Sequence, residues 1–369
     1  MTTTWGKLQN QLLTMAKANK IPLTGQFELT PRCNLKCKMC YVCQDIKDKN
    51  IISKERSAKE WISLAEEARD AGMLYLLLTG GEVFLRQDFK EIYEELSKMG
   101  FNIELYTNGT MITPDISKWL GRIPPSKLEV TLYGASPETY QKVCGNAAAY
   151  YMATRGIDLL LAEGIKLGLR TTVIKANMED FYEIANFAEQ RNIDFGVVNY
   201  VSPRRESSNT SPGIERLSPK ELAKYEIEVE TYFSKKASSS SNEYKMADSF
   251  NIDITSSDTD NAFQCSAGNS SFWITWDGRM TPCGLMGTPA SFPFEKGFIN
   301  SWIELKSYCS LIPSCSDCKE CSLQEHCIPC PARHKNETGC FESKAPYLCE
   351  TAKFRKEYYN KLGKLVTSH

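Results

Sequence analysis

A chain of 369 residues, 42% apolar and 24% charged, can bury a large core in about two domains, which excludes wholesale disorder. Its net charge of -1 offers no basic field for a nucleic-acid backbone. No run approaches the ~18 apolar residues of a membrane span and no signal-peptide core opens the chain, so no membrane partner is expected and the expected location is the cytoplasm. In that compartment the 15 cysteines point to metal ligands over disulfides, the more so because they crowd toward the C-terminus.

Residues 1–24 carry Leu8, Leu12, Leu13, Met15 and Ala16 near helical spacing and predict a short amphipathic helix closing the bottom of the fold. Next come Cys33, Cys37 and Cys40, separated by three and then two residues. A tight loop of this kind can aim three thiolates at one iron-sulfur cluster while leaving a fourth iron without a protein ligand. Zinc is the competitor, but it would want His or carboxylate nearby, and His326, His334 and His369 are all remote in sequence.

From residue 25 to about 202, β-rich runs at 26–30, 74–79, 102–107, 127–132, 167–174 and 194–201 alternate with helical patterns at 58–71, 88–99, 114–120, 150–162 and 178–190. Six such units predict an α/β fold, a partial (β/α)6 TIM barrel whose functional residues sit at the C-terminal ends of its strands. The second strand ends in Gly80-Gly81-Glu82, where paired glycines let the backbone approach a ligand and a carboxylate follows. The third ends at Asn108-Gly109, a turn signal, and the fourth at Thr131. Arg170 on the fifth strand is a planar cation suited to a carboxylate, or else a solvated side chain.

Residues 203–263 change character, with Ser-rich stretches flanking one helical segment at 219–235, and read as a bridge between domains. Beyond it, residues 264–369 hold Cys265, a β-hairpin pattern turning at Gly278, Cys283, the run Cys318, Cys321, Cys327 and Cys330, and Cys349 at the start of a last helix. Cys309 and Cys315 blur the register, because Cys315-X2-Cys318-X2-Cys321 is itself a possible cluster run.

The CX3CX2C loop, with Met39 before its last Cys and Tyr41 after it, resembles the cluster loop of the radical S-adenosylmethionine enzymes. That resemblance implies a 4Fe-4S cluster on Cys33, Cys37 and Cys40, with S-adenosyl-L-methionine filling the open iron. It also implies that Gly80, Gly81 and Glu82 meet the cofactor's amino group, and that Asn108, Thr131, Asn177 and Val198 lie along its adenosine. Arg170 would meet its carboxylate. The C-terminal array is similar to a SPASM domain holding two auxiliary 4Fe-4S clusters. The family pattern would place Cys265, Cys283 and Cys330 on the first and Cys318, Cys321, Cys327 and Cys349 on the second. Two residues, where the family has three, separate Cys327 from Cys330, and the first auxiliary cluster is one ligand short. Either Cys340 completes it or a substrate thiolate does.

SPASM relatives modify peptides, and CPARHKNETG around Cys330 looks most like maturases of ribosomally made peptides. The resemblance therefore implies oxidative formation of a thioether or carbon-carbon cross-link in a precursor peptide, with a flavodoxin- or ferredoxin-type electron donor. Since 24 N-terminal residues are too few for a leader-binding domain, a separate leader-recognition protein is a further expected partner. Formylglycine formation in a sulfatase and peptide epimerisation are alternatives, the latter needing a hydrogen donor such as Cys144. From a different class, a non-catalytic iron-sulfur carrier or scaffold would be expected to have lost a residue of the triad or of the Gly-Gly-Glu. Cys43 and Cys144 otherwise read as ordinary buried thiols.

Overall fold

The computed structural model describes residues 5–42, 44, 47–203, 205, 215–237 and 262–366; Cys43 and most of the bridge lie outside the described residues. Eight strands form one sheet: β1 Thr24–Glu28, β2 Tyr75–Thr79, β3 Asn102–Thr107, β4 Lys127–Thr131, β5 Leu167–Thr172, β6 Asp194–Val198, β7 Ser271–Ile274 and β8 Met280–Thr281. Their order is β6-β5-β4-β3-β2-β1-β7-β8. The first six are parallel in sequential order, as short βα units require, so the expected partial barrel is what forms.

One face of the sheet is apolar. Leu76, Leu78, Ile103, Leu105, Leu128, Val130 and Leu169 are buried against helical residues such as Trp61, Ile92, Leu120 and Ile157. The alternating positions carry Glu28, Glu104, Tyr106, Glu129 and Arg170, so the other face is polar. Local sequence explains the helices. Ser57 and Glu60 form a reciprocal capping box ahead of Ala58–Asp70, and Thr113 with Pro114 opens Pro114–Arg122.

Among the departures from the sequence reading, three bear on the barrel. A helix at Pro137–Cys144, capped by Ser136, precedes the expected Ala148–Ala162. The stretch read as one helix at 178–190 opens with a 3-10 turn, Met178–Asp180, before Phe181–Gln190. Most consequentially, the C-terminal hairpin extends the barrel sheet: β7 pairs parallel with β1, from Thr24 opposite Ser271 to Phe27 opposite Ile274, and β8 pairs antiparallel with β7.

The bridge's helix, Pro219–Ala237, lies along the last helix, Pro346–Val366, and Arg355 pairs with Glu226 between them. The first helix, Trp5–Asn19, is tied to the C-terminal half, because Lys17 Nζ donates to the Gln264 carbonyl at 3.3 Å and Trp302 Nε1 to that of Lys20 at 3.0 Å. No described helix is long and apolar enough to cross a membrane.

Candidate metal centre and cofactor site

The cysteine loop leaves the C-terminal end of β1, where its entry is pinned. Arg86 donates to the Leu29 carbonyl at 2.8 Å, and Arg32 makes a two-pronged pair with Glu55, 2.8 Å on each arm. Leu35 anchors the loop in the core. The N–H groups of Lys36 and Lys38 donate to the carbonyls of Cys144 and Val143, at 3.2 and 3.0 Å, strapping the loop to the end of the helix Pro137–Cys144. Cys37 Sγ consequently lies 3.6 Å from Cys144 Sγ, and that contact, then burial, pushes the Cys37 thiol well up.

All three loop thiols lie within electrostatic reach of Tyr133. Burial first, then the charges of Cys37, Cys33, Cys144 and Cys40, push its phenol well up, and it hydrogen-bonds Cys37. Cys33 Sγ also has the Asn108 amide at 3.6 Å. Yet the triad is not among the groups whose three donor atoms fall within 4.8 Å of one another. All-sulfur donors set wider than one ion needs, with Cys33 and Cys40 only half-buried, fit a polynuclear iron-sulfur cluster better than a mononuclear ion.

Glycine at 80 and 81 has a steric cause. A Cβ on Gly80, at φ +151°, would lie 2.4 Å from the Thr30 carbonyl oxygen, and one on Gly81 2.2 Å from that of Arg32. Their close approach is therefore to the backbone just before Cys33: Gly81 N donates to Thr30 O at 2.7 Å and Glu82 N to Arg32 O at 2.8 Å. Glu82 is 1% exposed. Its carboxylate accepts from Thr107 Oγ1 at 2.9 and 3.0 Å, Asn108 N at 2.8 Å and Phe84 N at 3.2 Å. Burial raises its pKa to about 7 against those donors, leaving a carboxyl ready to ionise beside any cationic group brought to it.

The other expected residues are placed as follows. Asn108 belongs to the triad's network, its amide also reaching Asn34 Oδ1 at 3.0 Å, and half-buried Met39 packs on the core. Tyr41 lies within electrostatic reach of both Cys40 and Cys283, with the Arg205 guanidinium 5.8 Å from its ring. Thr131, opposite Arg170, and Val198, opposite Thr172, close β4 and β6 half-buried.

Arg170 pairs with Glu129 and stacks over Tyr106 at 5.1 Å, so on the polar face it already has a carboxylate and a ring. Asn177 is 3% exposed and brackets the backbone, donating to the carbonyls of Tyr133 at 2.9 Å and Thr172 at 3.0 Å while accepting from Ile174 N at 2.8 Å. Cys144, expected at the barrel mouth if it were to donate hydrogen, is instead 2% exposed behind the cluster loop.

The C-terminal cysteines gather in two neighbourhoods. Cys283, pushed up by burial and then by Cys330 and Cys265, marks the first; Cys309 joins it beside Cys265, its sulfur packed against Gly268. In the second, Cys318 is pushed up to about 12 by burial and then by Cys315, Cys349 and Cys327. Cys321 acts on Cys327 and Cys349. Cys340 is exposed and its thiol is held by Ser343 and Glu342 in its own turn.

Sequence reasoning passed over Tyr133, Glu55, His334 and the pair of Glu28 with Arg205. Each acquires its role from a partner distant in the chain, and no local pattern announces it.

Comparisons with known proteins agree with this geometry. Residues 27–188 match the Radical SAM superfamily. The chain is 34% identical to Fe-coproporphyrin III synthase of Methanosarcina barkeri over 51% of its own length, spanning 45% of that relative. It is 24% identical to the same organism's AdoMet-dependent heme synthase over 90% of this chain and 98% of that one. With the antilisterial bacteriocin subtilosin biosynthesis protein AlbA of Bacillus subtilis it shares 24% identity over 84% of its length and 65% of that protein's. In fold, Streptococcus suis SuiB bound to S-adenosylmethionine superposes with a TM-score of 0.69 at 18% identity, over 95% of this chain and 84% of that one. With the cysteine loop at the end of β1 and the Gly-Gly-Glu turn folded against it, residues 27–188 form a domain of the Radical SAM superfamily.

Proposed function

We propose that the chain is a radical peptide maturase that oxidises a ribosomally made precursor peptide to a thioether or carbon-carbon cross-link. The observation that carries this reading is the cysteine-rich C-terminal region, whose hairpin continues the barrel sheet and whose thiols gather in two neighbourhoods. Supporting it, AlbA is a bacteriocin biosynthesis protein, and SuiB, the same fold over 95% of this chain, has been seen bound to its precursor peptide SuiA.

When bound, a 4Fe-4S cluster on Cys33, Cys37 and Cys40 together with S-adenosylmethionine supplies a 5′-deoxyadenosyl radical for hydrogen-atom abstraction from an unactivated carbon. The protein's own part is to hold and shield. Asn108 and Tyr133 orient the thiolates, and Glu82 offers a buried carboxylate to the cofactor's amine. Cys265, Cys283 and Cys330 would hold one auxiliary 4Fe-4S cluster; Cys321, Cys327 and Cys349, with Cys318, would hold another. Tyr41 lies within electrostatic reach of Cys40 in the barrel loop and of Cys283 in the first of these sets. Such centres give the substrate's electron a way out, which suits an oxidation. A flavodoxin- or ferredoxin-type protein would supply the reducing electron, and a separate protein would present the leader.

A tetrapyrrole substrate is the second reading, favoured by the heme synthase alignment over 98% of that relative. One assay separates them. The reduced, iron-loaded protein is given S-adenosylmethionine with either a precursor peptide encoded beside its gene or iron coproporphyrin III. The expected outcome is 5′-deoxyadenosine release and a peptide lighter by about 2 Da per cross-link. A variant with all three of Cys33, Cys37 and Cys40 changed to Ala should do neither. Turnover of the porphyrin with an unmodified peptide would overturn the peptide reading, and an unchanged peptide mass with solvent deuterium uptake would replace cross-linking by epimerisation.

A further inference from the structure

Among the described residues, Cys315, Cys318 and His334 alone bring three metal-donor atoms, two sulfurs and a ring nitrogen, within 4.8 Å of one another. Only Cys318 of these has a place in the cluster sets above. Cys315 and His334 are each 5% exposed, so the group is built into the fold rather than scattered on its surface.

The local backbone explains the pair of thiols. Cys315 opens the short helix Ser316–Lys319, and its carbonyl accepts from Cys318 N at 3.1 Å and Lys319 N at 3.3 Å, a tight turn that brings the two side chains of a Cys-X2-Cys spacing together. His334 comes from the helix Pro331–Thr338. Its Nδ1 lies 3.2 Å from the Phe341 carbonyl oxygen. A carbonyl can only accept, so Nδ1 carries the proton, and the neutral ring turns the Nε2 lone pair toward Cys318 Sγ, 3.9 Å away. A ring held this way presents a metal-ligand lone pair, with no N–H to offer a cluster sulfur.

Distance decides the kind of metal. A tetrahedral ion with bonds of about 2.3 Å to sulfur and about 2.0 Å to nitrogen separates those two atoms by roughly 3.6 Å. The observed 3.9 Å needs a shift of a few tenths of an ångström. A cubane cluster takes its thiolates on separate irons and spreads them more widely. Beside the trio lies a cavity of about 290 Å³, also lined by Gln324, Cys330 and Phe341.

We propose that Cys315, Cys318 and His334 bind one borderline-soft divalent cation of the zinc class, with the fourth position open to this cavity. The site goes beyond the proposed function and touches it only at Cys318, which it withdraws from the second auxiliary set; the barrel chemistry is unaffected.

The test uses the full chain, reconstituted anaerobically with iron and sulfide, equilibrated with zinc sulfate and freed of loose metal. Zinc and iron are counted, and the zinc-edge X-ray absorption is read for ligand type. The expected result is about one zinc per chain with two sulfur and one imidazole neighbour. Cys315→Ala and His334→Ala should each lower the zinc at least about fivefold with iron per chain unchanged, and His334→Cys should retain zinc with a third sulfur. Absence of zinc from the wild-type chain would overturn the proposal. So would zinc retained undiminished by both alanine variants, which marks it as adventitious, or a parallel fall of iron, which makes these residues cluster ligands. 5′-Deoxyadenosine release, measured alongside, reports on the barrel reading alone.

Discussion

Glu82 shows how a residue's chemistry follows from its position in the fold. Its carboxyl is raised to about 7 by burial, against the three donors that favour its charged form. Because the folded value stands above the 4.5 of an exposed Glu, the folded chain keeps a proton that the unfolded chain has lost. Stability from this group is complete below about 4.5 and is lost as pH rises through about 7. The loss between pH 5 and pH 7 is on the order of 2 kcal/mol. In the cluster-free chain Glu82→Gln should therefore gain that much on the wild type over this interval, read as the change in urea midpoint at each pH. Parallel pH dependences would show that the carboxyl is ionised throughout. Glu82 was legible because Gly80-Gly81-Glu82 is contiguous, as is the cysteine loop. Tyr133 was not, and Cys144, read as a buried thiol or a hydrogen donor, gave no sign of its place beside Cys37, since only folding carries it there from 107 positions away.

At the scale of elements, hydrophobic alternation located all six barrel strands, with edges displaced by a few residues. The first was read at 26–30 and pairs at Thr24–Glu28, because Leu29 and Thr30 are already turning into the cysteine loop while still buried. The helix Pro137–Cys144 escaped because eight mixed residues show no clear period, although Ser136 followed by Pro137 was a start signal in plain view. The Gly-Gly-Glu turn was expected to approach a ligand; the structure adds that it packs on the backbone at the entry to the cysteine loop, which makes its glycines structural determinants of that loop. Gly81→Ala would set a methyl 2.2 Å from a backbone oxygen, and no rotamer change relieves that clash. The variant should lose about 2 kcal/mol of stability and most of its barrel-bound iron. Gly164→Ala, whose Cβ meets nothing within 4 Å at φ +70°, is the control. Its strain should cost about 1 kcal/mol and leave iron content alone. Equal iron in the two variants would refute the coupling of turn to loop.

Across the whole molecule, the cysteine-rich half was expected as a domain in its own right, and periodicity could not reveal that its hairpin adds two strands to the barrel sheet. Strand pairing between β1 and β7 is a contact across some 250 residues, and four-residue strands carry no signal of their partner. The join is reinforced by charge. The side chains of Glu28 at the end of β1 and Arg205 are each 1% exposed and lie 2.7 Å apart; Arg205 also donates to the Gly284 carbonyl at 3.1 Å, and Trp273 Nε1 to Glu28 at 3.0 Å. Barrel, bridge and hairpin thus meet at one buried pair. Removing one partner strands a charge in the interior, at a cost of about 3–5 kcal/mol, whereas removing both charges together costs far less because neither is left uncompensated. Arg205→Met should accordingly lower the urea midpoint sharply, and Glu28→Gln on top of it should restore most of the loss. Should the two effects simply add, the pair would be a bystander, and cohesion between the halves would rest on the β1–β7 ladder and the apolar residues beneath it.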